Sequence, residues 1–176
     1  MTKRLLFDLE STGLLRRGST IHCIVMRDMT TAEKPIVFDY KPERAVIQGI
    51  KQLEQADELI GHNIINYDVP LIKEQFPDFA PTGKMVDTLV LSRLYYPHIA
   101  ERDYERRPVG MPQRLYGRHS LEAWGYRLKC FKGDFGKSDS NDWSTYTPEM
   151  LDYCIQDTQV TLRLYELLKR RMQDYA

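Results

Sequence analysis

The sequence predicts a single α/β domain over residues 1–176, in which a mixed β-sheet is flanked by helices. Short apolar runs typical of strands occupy the N-terminal half, one helical pattern precedes the fourth run, and helical patterns fill the remainder. The length is sufficient for one ordinary core and short for two. Three strands, a helix, a fourth strand and further helices are the order expected of a sheet covered by helices.

The strands are predicted from short apolar segments bounded by polar residues. The first segment ends in two acids, and the second and third are joined by the polar residues 29–33, which favours a hairpin. Residues 43–56 have apolar side chains at helical intervals, which predicts the first helix. The predicted strands are residues 4–10, 20–28, 34–40 and 58–62.

The later helices are predicted from capping residues as well as from apolar spacing. Asp68 begins a helix that runs to Gln75, and aspartate is a preferred N-cap residue. The next helix covers residues 87–96, with Asp87 or Thr88 at its start. Two more are predicted, at residues 119–128 with Ser120 as cap, and from Thr147 as N-cap and Pro148 as first helical residue to the C-terminus.

The composition narrows the class of protein. Lys plus Arg and Asp plus Glu both total 25, and this zero net charge argues against nucleic-acid binding by bulk charge alone. Contact with phosphates through metal ions stays open. No signal peptide and no apolar run of membrane-spanning length are present, so no membrane partner is expected. The three cysteines suit neither a disulfide framework nor a zinc site and are typical of a reducing cytoplasm.

Two pairs of residues and one single acid are candidates for a site. Asp8 and Glu10 lie two residues apart at a strand end and are expected to share a face. Tyr153 and Asp157 are four residues apart and lie on one helix face. Each also has a simpler interpretation: a solvated loop at residues 8–10, an amphipathic helix edge at Asp157, and an N-cap at Asp68.

The set of acids is more informative than any member. Four converging carboxylates would repel one another strongly, and two divalent cations would balance their four charges. Oxygen-rich carboxylate sites suit Mg²⁺ or Mn²⁺. Two such ions about 3.5–4 Å apart form the arrangement used for in-line attack at phosphorus.

Three segments resemble the DEDD superfamily of 3′–5′ exonucleases, which have a ribonuclease H-like fold. These segments are FDLESTGLL (7–15), HNIINYD (62–68) and YCIQD (153–157), and the tyrosine in the third is typical of the tyrosine-type members. The longer segments HNIINYDVPLI, DTLVLSRL and HSLEAWGYRLK are similar to the proofreading domain of family A DNA polymerases from short-tailed bacteriophages. The resemblance covers nearly the whole chain.

The resemblance implies a role for nine residues. Four acids would hold two Mg²⁺ or Mn²⁺ ions, and Tyr153 would orient the attacking water, because a phenol with a pKa of about 10 is neutral at pH 7. Leu14 would wedge against the terminal bases, although it could equally be core. The implied metal ligands are Asp8, Glu10, Asp68 and Asp157, and the implied substrate-binding residues are Ser11, Thr12, Leu14 and Asn63.

The resemblance implies a metal-dependent exonuclease that acts on single-stranded DNA 3′ ends and releases 5′-mononucleotides. The alternatives are an exoribonuclease of the same superfamily and a catalytically silent module that docks to a polymerase. A start at Met1 favours a natural N-terminus, so we expect a free-standing enzyme that partners a separately encoded DNA polymerase, with an excised domain as the alternative. The expected location is the cytoplasm of a bacterial or phage-infected host cell.

Residues 99–118 are predicted to form a mobile basic loop, because they contain five arginines, two prolines and two glycines. Two interpretations of this loop stay open. Acids interleaved in its first part would neutralise a solvated loop, whereas its arginines and tyrosines suit guidance of a nucleic-acid strand or docking to a polymerase.

Overall fold

The strands and helices follow from a computed structural model, which describes residues 2–13, 17–31, 34–130 and 142–174. The strands are β1 (Arg4–Ser11), β2 (Ile21–Asp28), β3 (Ile36–Phe38), β4 (Glu58–Gly61) and β5 (Lys84–Asp87). The helices are α1 (Val46–Glu54), α2 (Asp68–Gln75), α3 (Thr88–Tyr95), α4 (Ile99–Arg106), α5 (Leu121–Arg127) and α6 (Pro148–Asp174). The predicted mixed sheet flanked by helices is therefore confirmed.

Strand β1 is the centre of the sheet, whose order is β3-β2-β1-β4-β5. It pairs antiparallel with β2 and parallel with β4, and β4 pairs parallel with β5. Leu5, Leu6 and Phe7 are at most 1% exposed, as expected for a strand covered on both faces. The carboxyl end of β1 therefore opens at the middle of one edge of the sheet.

The two faces of β1 have different partners. Leu5, Phe7 and Leu9 belong to the main core, which also contains side chains of α1 and α2. On the opposite face, Leu6 packs with Tyr165 of α6. Because residues two apart in a strand share a face, Asp8 and Glu10 lie on the side of Leu6, toward α6.

Two elements differ from the sequence prediction in kind. Strand β5 was not predicted, because it has four residues and is bounded by the charged residues Lys84 and Asp87. Residues 99–118 were predicted as a mobile loop, and this is wrong: they contain α4 and a 3₁₀ turn at Gln113–Leu115. The interleaved charges form the exposed face of α4, while buried Asp103 accepts hydrogen bonds from the Gly117 amide (2.9 Å) and from the Arg127 guanidinium.

The predicted caps are confirmed at three helices and wrong at one. The Asp87 carboxylate accepts from the Leu89 amide at 2.9 Å, Ser120 caps α5, and the Thr147 hydroxyl accepts from the Met150 amide at 3.2 Å. Asp68 is not an N-cap. It is the first helical residue of α2, and its side chain is buried.

Membrane insertion was not expected from the sequence. Across residues 2–13, 17–31, 34–130 and 142–174, no helix combines the length and the apolar character needed to span a membrane.

Gly83 is the position where the fold tolerates a side chain least. A Cβ there would lie 2.2 Å from the Ala56 carbonyl oxygen, on the backbone that enters β4. We expect Gly83→Ala to lower the free energy of unfolding by about 3 kcal/mol, measured by urea denaturation. Gly49→Ala is the comparison, because its Cβ would meet side-chain atoms of Phe38 at 2.9 Å and not a backbone oxygen, and alanine is favoured over glycine inside α1. Equal losses in the two variants would contradict this account.

Candidate active site

Asp8 and Glu10 lie on β1 and not in a loop. Strand β1 continues to Ser11, and the two acids pair in register with Val25 and Cys23 of β2. Both are half-buried, on the face that α6 covers. The alternative interpretation of residues 8–10 as a solvated loop is therefore wrong.

A turn at residues 62–67 carries the chain from β4 to Asp68. Asn63 has a φ of 66°, a left-handed conformation that asparagine tolerates well. Buried Asp87 at the end of β5 fixes the turn, because its carboxylate accepts from the amides of Asn63 (2.9 Å) and Ile65 (3.1 Å). The turn therefore places Asp68 at the same edge of the sheet as the end of β1.

Helix α6 supplies Tyr153 and Asp157, whose side chains form a hydrogen bond with each other. The Trp143 ring packs edge-on against the Tyr153 ring, with centroids 6.3 Å apart. Cys154 is fully buried on the same helix, and its thiol donates to the Asp8 carboxylate over 3.7 Å. The first turns of α6 therefore lie directly over the carboxyl end of β1.

The four predicted acids are close enough to perturb one another. Burial raises the pKa of Asp8 well above its usual range, and the charge of Asp68 adds to this. Burial followed by the charges of Asp8 and Asp157 does the same to the pKa of Glu10. Burial and then the charge of Asp8 raise the pKa of Asp157. The structure thus brings the four predicted acids together.

Burial also raises the pKa values of Asp68, which is buried, and of Tyr153, which is half-buried. Burial raises the pKa of Asp68 to about 7, against the lowering effect of backbone hydrogen bonds at Asp68 itself and at Leu9. Burial, followed by the charges of Asp157 and other site acids, raises the pKa of Tyr153 above its usual value. The phenol is therefore neutral at physiological pH and can donate a hydrogen bond.

The side chains present fit a hard divalent cation. Carboxylate oxygens are the preferred ligands of Mg²⁺ and Mn²⁺, and the site offers four carboxylates whose ionised forms repel one another. Ligand atoms of Asp8, Glu10 and Cys154 all lie within 4.8 Å of one another. Burial raises the pKa of the Cys154 thiol well above its usual range, so the thiol is neutral and a weak ligand.

The predicted substrate-binding residues are placed less uniformly. Ser11 is buried, and its hydroxyl lies 3.0 Å from both the Gly13 carbonyl and the Tyr67 hydroxyl. The Thr12 hydroxyl accepts from the Thr20 amide at 3.0 Å. Asn63 forms the turn before Asp68, and Leu14 lies outside the described residues.

Sequence reasoning missed two contributors to the site. Asp87 was predicted only as a helix cap, whereas it also fixes the turn before Asp68. Cys154 was interpreted as a packed cysteine, whereas its thiol contacts Asp8. Its position three residues before Asp157 on one helix face is a signal that could have indicated the contact.

Comparison with known sequences places the chain in a nuclease family. The family model of the RNase_H superfamily matches residues 5–169. The DNA-directed DNA polymerase of Escherichia phage T7 is 33% identical over 184 residues, covering 92% of this chain and 26% of the polymerase. The chain thus spans about a quarter of the length of that relative. The resemblance to phage DNA polymerases and to ribonuclease H-like exonucleases is confirmed.

Solved structures share the fold. Brucella melitensis NrnC is similar with a TM-score of 0.65 and 17% identity, covering 98% of this chain and 75% of that one. Escherichia coli RNase D, an exoribonuclease involved in structured RNA processing, is similar with a TM-score of 0.63 and 13% identity, covering 98% and 40%. These similarities confirm the predicted ribonuclease H-like fold.

The metal-free protein is expected to lose stability as pH rises from about 4 to about 7. An acid with a raised pKa holds its proton more tightly in the folded state than in the unfolded state. The free energy of unfolding therefore falls as pH rises from the unfolded pKa, 3.8 for aspartate, toward the folded pKa of about 7 at Asp68. Each proton contributes a slope of about 1.4 kcal/mol per pH unit.

Urea unfolding in EDTA at several pH values measures this slope. Asp68→Asn should flatten it, whereas exposed Asp152→Asn should not. Replacing EDTA with Mn²⁺ should restore the free energy of unfolding above pH 7, since a bound cation favours the ionised acids. A slope that is the same in Asp68→Asn as in the unsubstituted chain would contradict the account.

Proposed function

We propose that this chain, which belongs to the RNase_H superfamily, is a metal-dependent 3′–5′ exonuclease that hydrolyses the terminal phosphodiester bond of single-stranded DNA. The observation that supports this most directly is the convergence of four carboxylates and a neutral tyrosine at one edge of the sheet. A stability role does not explain it, because like charges this close destabilise a fold unless cations balance them.

Asp8, Glu10, Asp68 and Asp157 would hold two divalent cations, Mg²⁺ or Mn²⁺. Such ions would activate a water as the nucleophile and would neutralise the charge that develops on the leaving oxygen. Asp8 is the natural shared ligand, because its charge acts on both Glu10 and Asp157 and it contacts α6 through Cys154. The protein's part is to fix these oxygens on β1, at the start of α2 and in the third turn of α6 before substrate arrives.

Tyr153 would orient the attacking water by a hydrogen bond. Its raised pKa makes proton abstraction at neutral pH unfavourable, because the phenol already holds a proton. Ser11, Thr12, Leu14 and Asn63 are proposed to line the substrate end, in line with the sequence resemblance.

DNA is the proposed substrate because the 33% identical relative is a DNA polymerase. RNA is the second candidate, because the RNase D structure has the same fold and belongs to an exoribonuclease. Matched DNA and RNA oligonucleotides of one sequence, labelled at the 5′ end, distinguish the two by the rate at which each is shortened. The presence of all four acids and Tyr153 favours either activity over a silent docking module.

We propose that the chain forms one exonuclease unit over residues 1–176 and works with a DNA polymerase during phage replication in a bacterial cytoplasm. The support is the match to a phage polymerase across 92% of this chain. A separately encoded polymerase would be the partner that supplies frayed primer ends.

Replacing a proposed metal ligand should abolish activity. We expect Asp157→Asn to lower kcat on a 5′-labelled oligonucleotide with Mn²⁺ by more than about 100-fold, because even residues behind metal ligands contribute about 10–100-fold. Asp152→Asn, on the exposed face of the same helix, is the matched control and should retain full activity. Equal rates for the two variants would mean that the nuclease activity lies elsewhere or in a contaminant.

Tyr153→Phe should remove the orientation of the attacking water and leave metal binding unchanged. Because the phenol is a hydrogen-bond donor and not an ionised ligand, we expect kcat to fall by about 10–100-fold with KM unchanged. The rise in Tm caused by Mn²⁺ should stay as large as in the unsubstituted chain. A reduced Mn²⁺ effect on Tm would show instead that Tyr153 supports the metal site.

A further inference from the structure

A second concave site lies away from the carboxylates, between α4, α5 and α6. The cavity has a volume of about 440 Å³. Aromatic side chains form its wall, and the Arg127 guanidinium stacks on the Trp124 ring at 4.9 Å. The cations that line it are Arg102, Arg106, Arg107, Arg127 and Lys129, against a single acid, Asp103.

Two buried donors of this cavity have no acceptor. Trp124 is 2% exposed and the Arg127 side chain 9%, yet Trp124 Nε1 and Arg127 Nη1 make no hydrogen bond within the described residues. The other nitrogens of Arg127 are satisfied by Asp103, at 2.9 and 2.7 Å. Both nitrogens are themselves buried, so a ligand in the cavity would meet the exposed cations of the rim and not these two donors.

The rim of the cavity carries cations whose charges are not compensated. Across the described parts of the chain, Arg106, Arg107 and Lys129 form no ion pair, and all three are exposed. Arg107 and Lys129 also have positive φ values of 46° and 54° just after α4 and α5, positions where glycine costs less. A ligand that fits this site carries negative charge and several acceptor oxygens.

The cavity is close to the proposed active site. Glu122, near the start of α5, acts on the pKa of Tyr153, and Arg127 ends the same helix. Trp124 also packs with Val160 and Leu164, one to two turns after Asp157 on α6.

We propose that this cavity binds a backbone phosphate of the single-stranded nucleic acid whose 3′ end is cleaved, a short distance upstream of the cleaved bond. The proposal rests on the proposed function and assigns the strand a second point of attachment. Phosphate oxygens match the uncompensated cations of the rim, and arginine and aromatic planes suit stacking of unpaired bases. An acidic peptide would satisfy the charge but would not use the aromatic wall for stacking.

The two tryptophans of the chain report on the two sites separately. Trp143 packs against Tyr153 at the active site, and Trp124 lines the cavity. We would label the indole nitrogens with ¹⁵N in an Asp157→Asn background, add Mg²⁺, which is diamagnetic, and titrate with a 20-mer of thymidylate. Trp124→Phe identifies the Trp124 indole resonance.

We expect both indole resonances to shift on titration. The Trp124 shift should disappear in Arg106→Gln/Arg107→Gln and persist in Lys51→Gln/Lys73→Gln, a control that removes two exposed cations from α1 and α2. A shift at Trp143 alone would overturn the cavity proposal and leave the proposed function intact. No shift at either would overturn both, and an equal Trp124 shift with polyglutamate would assign the cavity to an acidic protein partner instead.

Affinity gives an independent measurement. Arg106→Gln/Arg107→Gln should raise the Kd for the labelled 20-mer about 10-fold at low salt. It should also lower the slope of log Kd against log salt concentration by about 0.7 for each phosphate that the two arginines no longer neutralise. Both substitutions lie on the surface, so folding is preserved. An unchanged slope would overturn the proposal.

Discussion

Mutual repulsion between four carboxylates at one edge of the sheet is the constraint that the rest of the structure has to oppose. Asp8 and Glu10 stand on the central strand, where packing on both faces prevents them from moving apart. Helix α6 presses Asp157 onto the same edge through buried contacts of Cys154 and Tyr165. The apolar cores therefore hold like charges close together, and a bound cation would reduce the repulsion between them.

Fixing the fourth acid requires a different device. Asp68 follows an irregular turn, and loops hold their ends less firmly than strands do. Asp87 compensates for this, since one buried carboxylate binds two amides of the turn and caps α3. The Tyr67 hydroxyl adds a hydrogen bond to the Gly13 carbonyl, which links the turn before Asp68 to the residues that follow β1. An acid outside the proposed set of ligands thus determines where a proposed ligand lies.

Local patterns in the sequence were sufficient for the features that depend on neighbouring residues. The central strand and the caps at Ser120 and Thr147 follow from adjacent side chains, and they were predicted. Residues 99–118 were not, because alternating charges look the same in a solvated loop and on an exposed helix face. The distant partners Gly117 and Arg127 explain why Asp103 is buried there. The site acids were candidates from their positions in the sequence and received their roles from the family resemblance, whereas their convergence depends on tertiary packing that spacing alone does not encode.

Packing of α6 against β1, which lies far from it in the sequence, has a consequence for synthesis of the chain. Arg4 contacts Glu58 and Tyr165, partners up to 161 positions away, and Asp8 meets its α6 neighbours over a similar separation. A ribosome needs on the order of 10 s to add that many residues. The nascent chain therefore emerges before the four carboxylates have come together. Long-range contacts of this kind also slow folding. The proposed site is complete only once α6 has left the ribosome and can reach a strand that was made well before it.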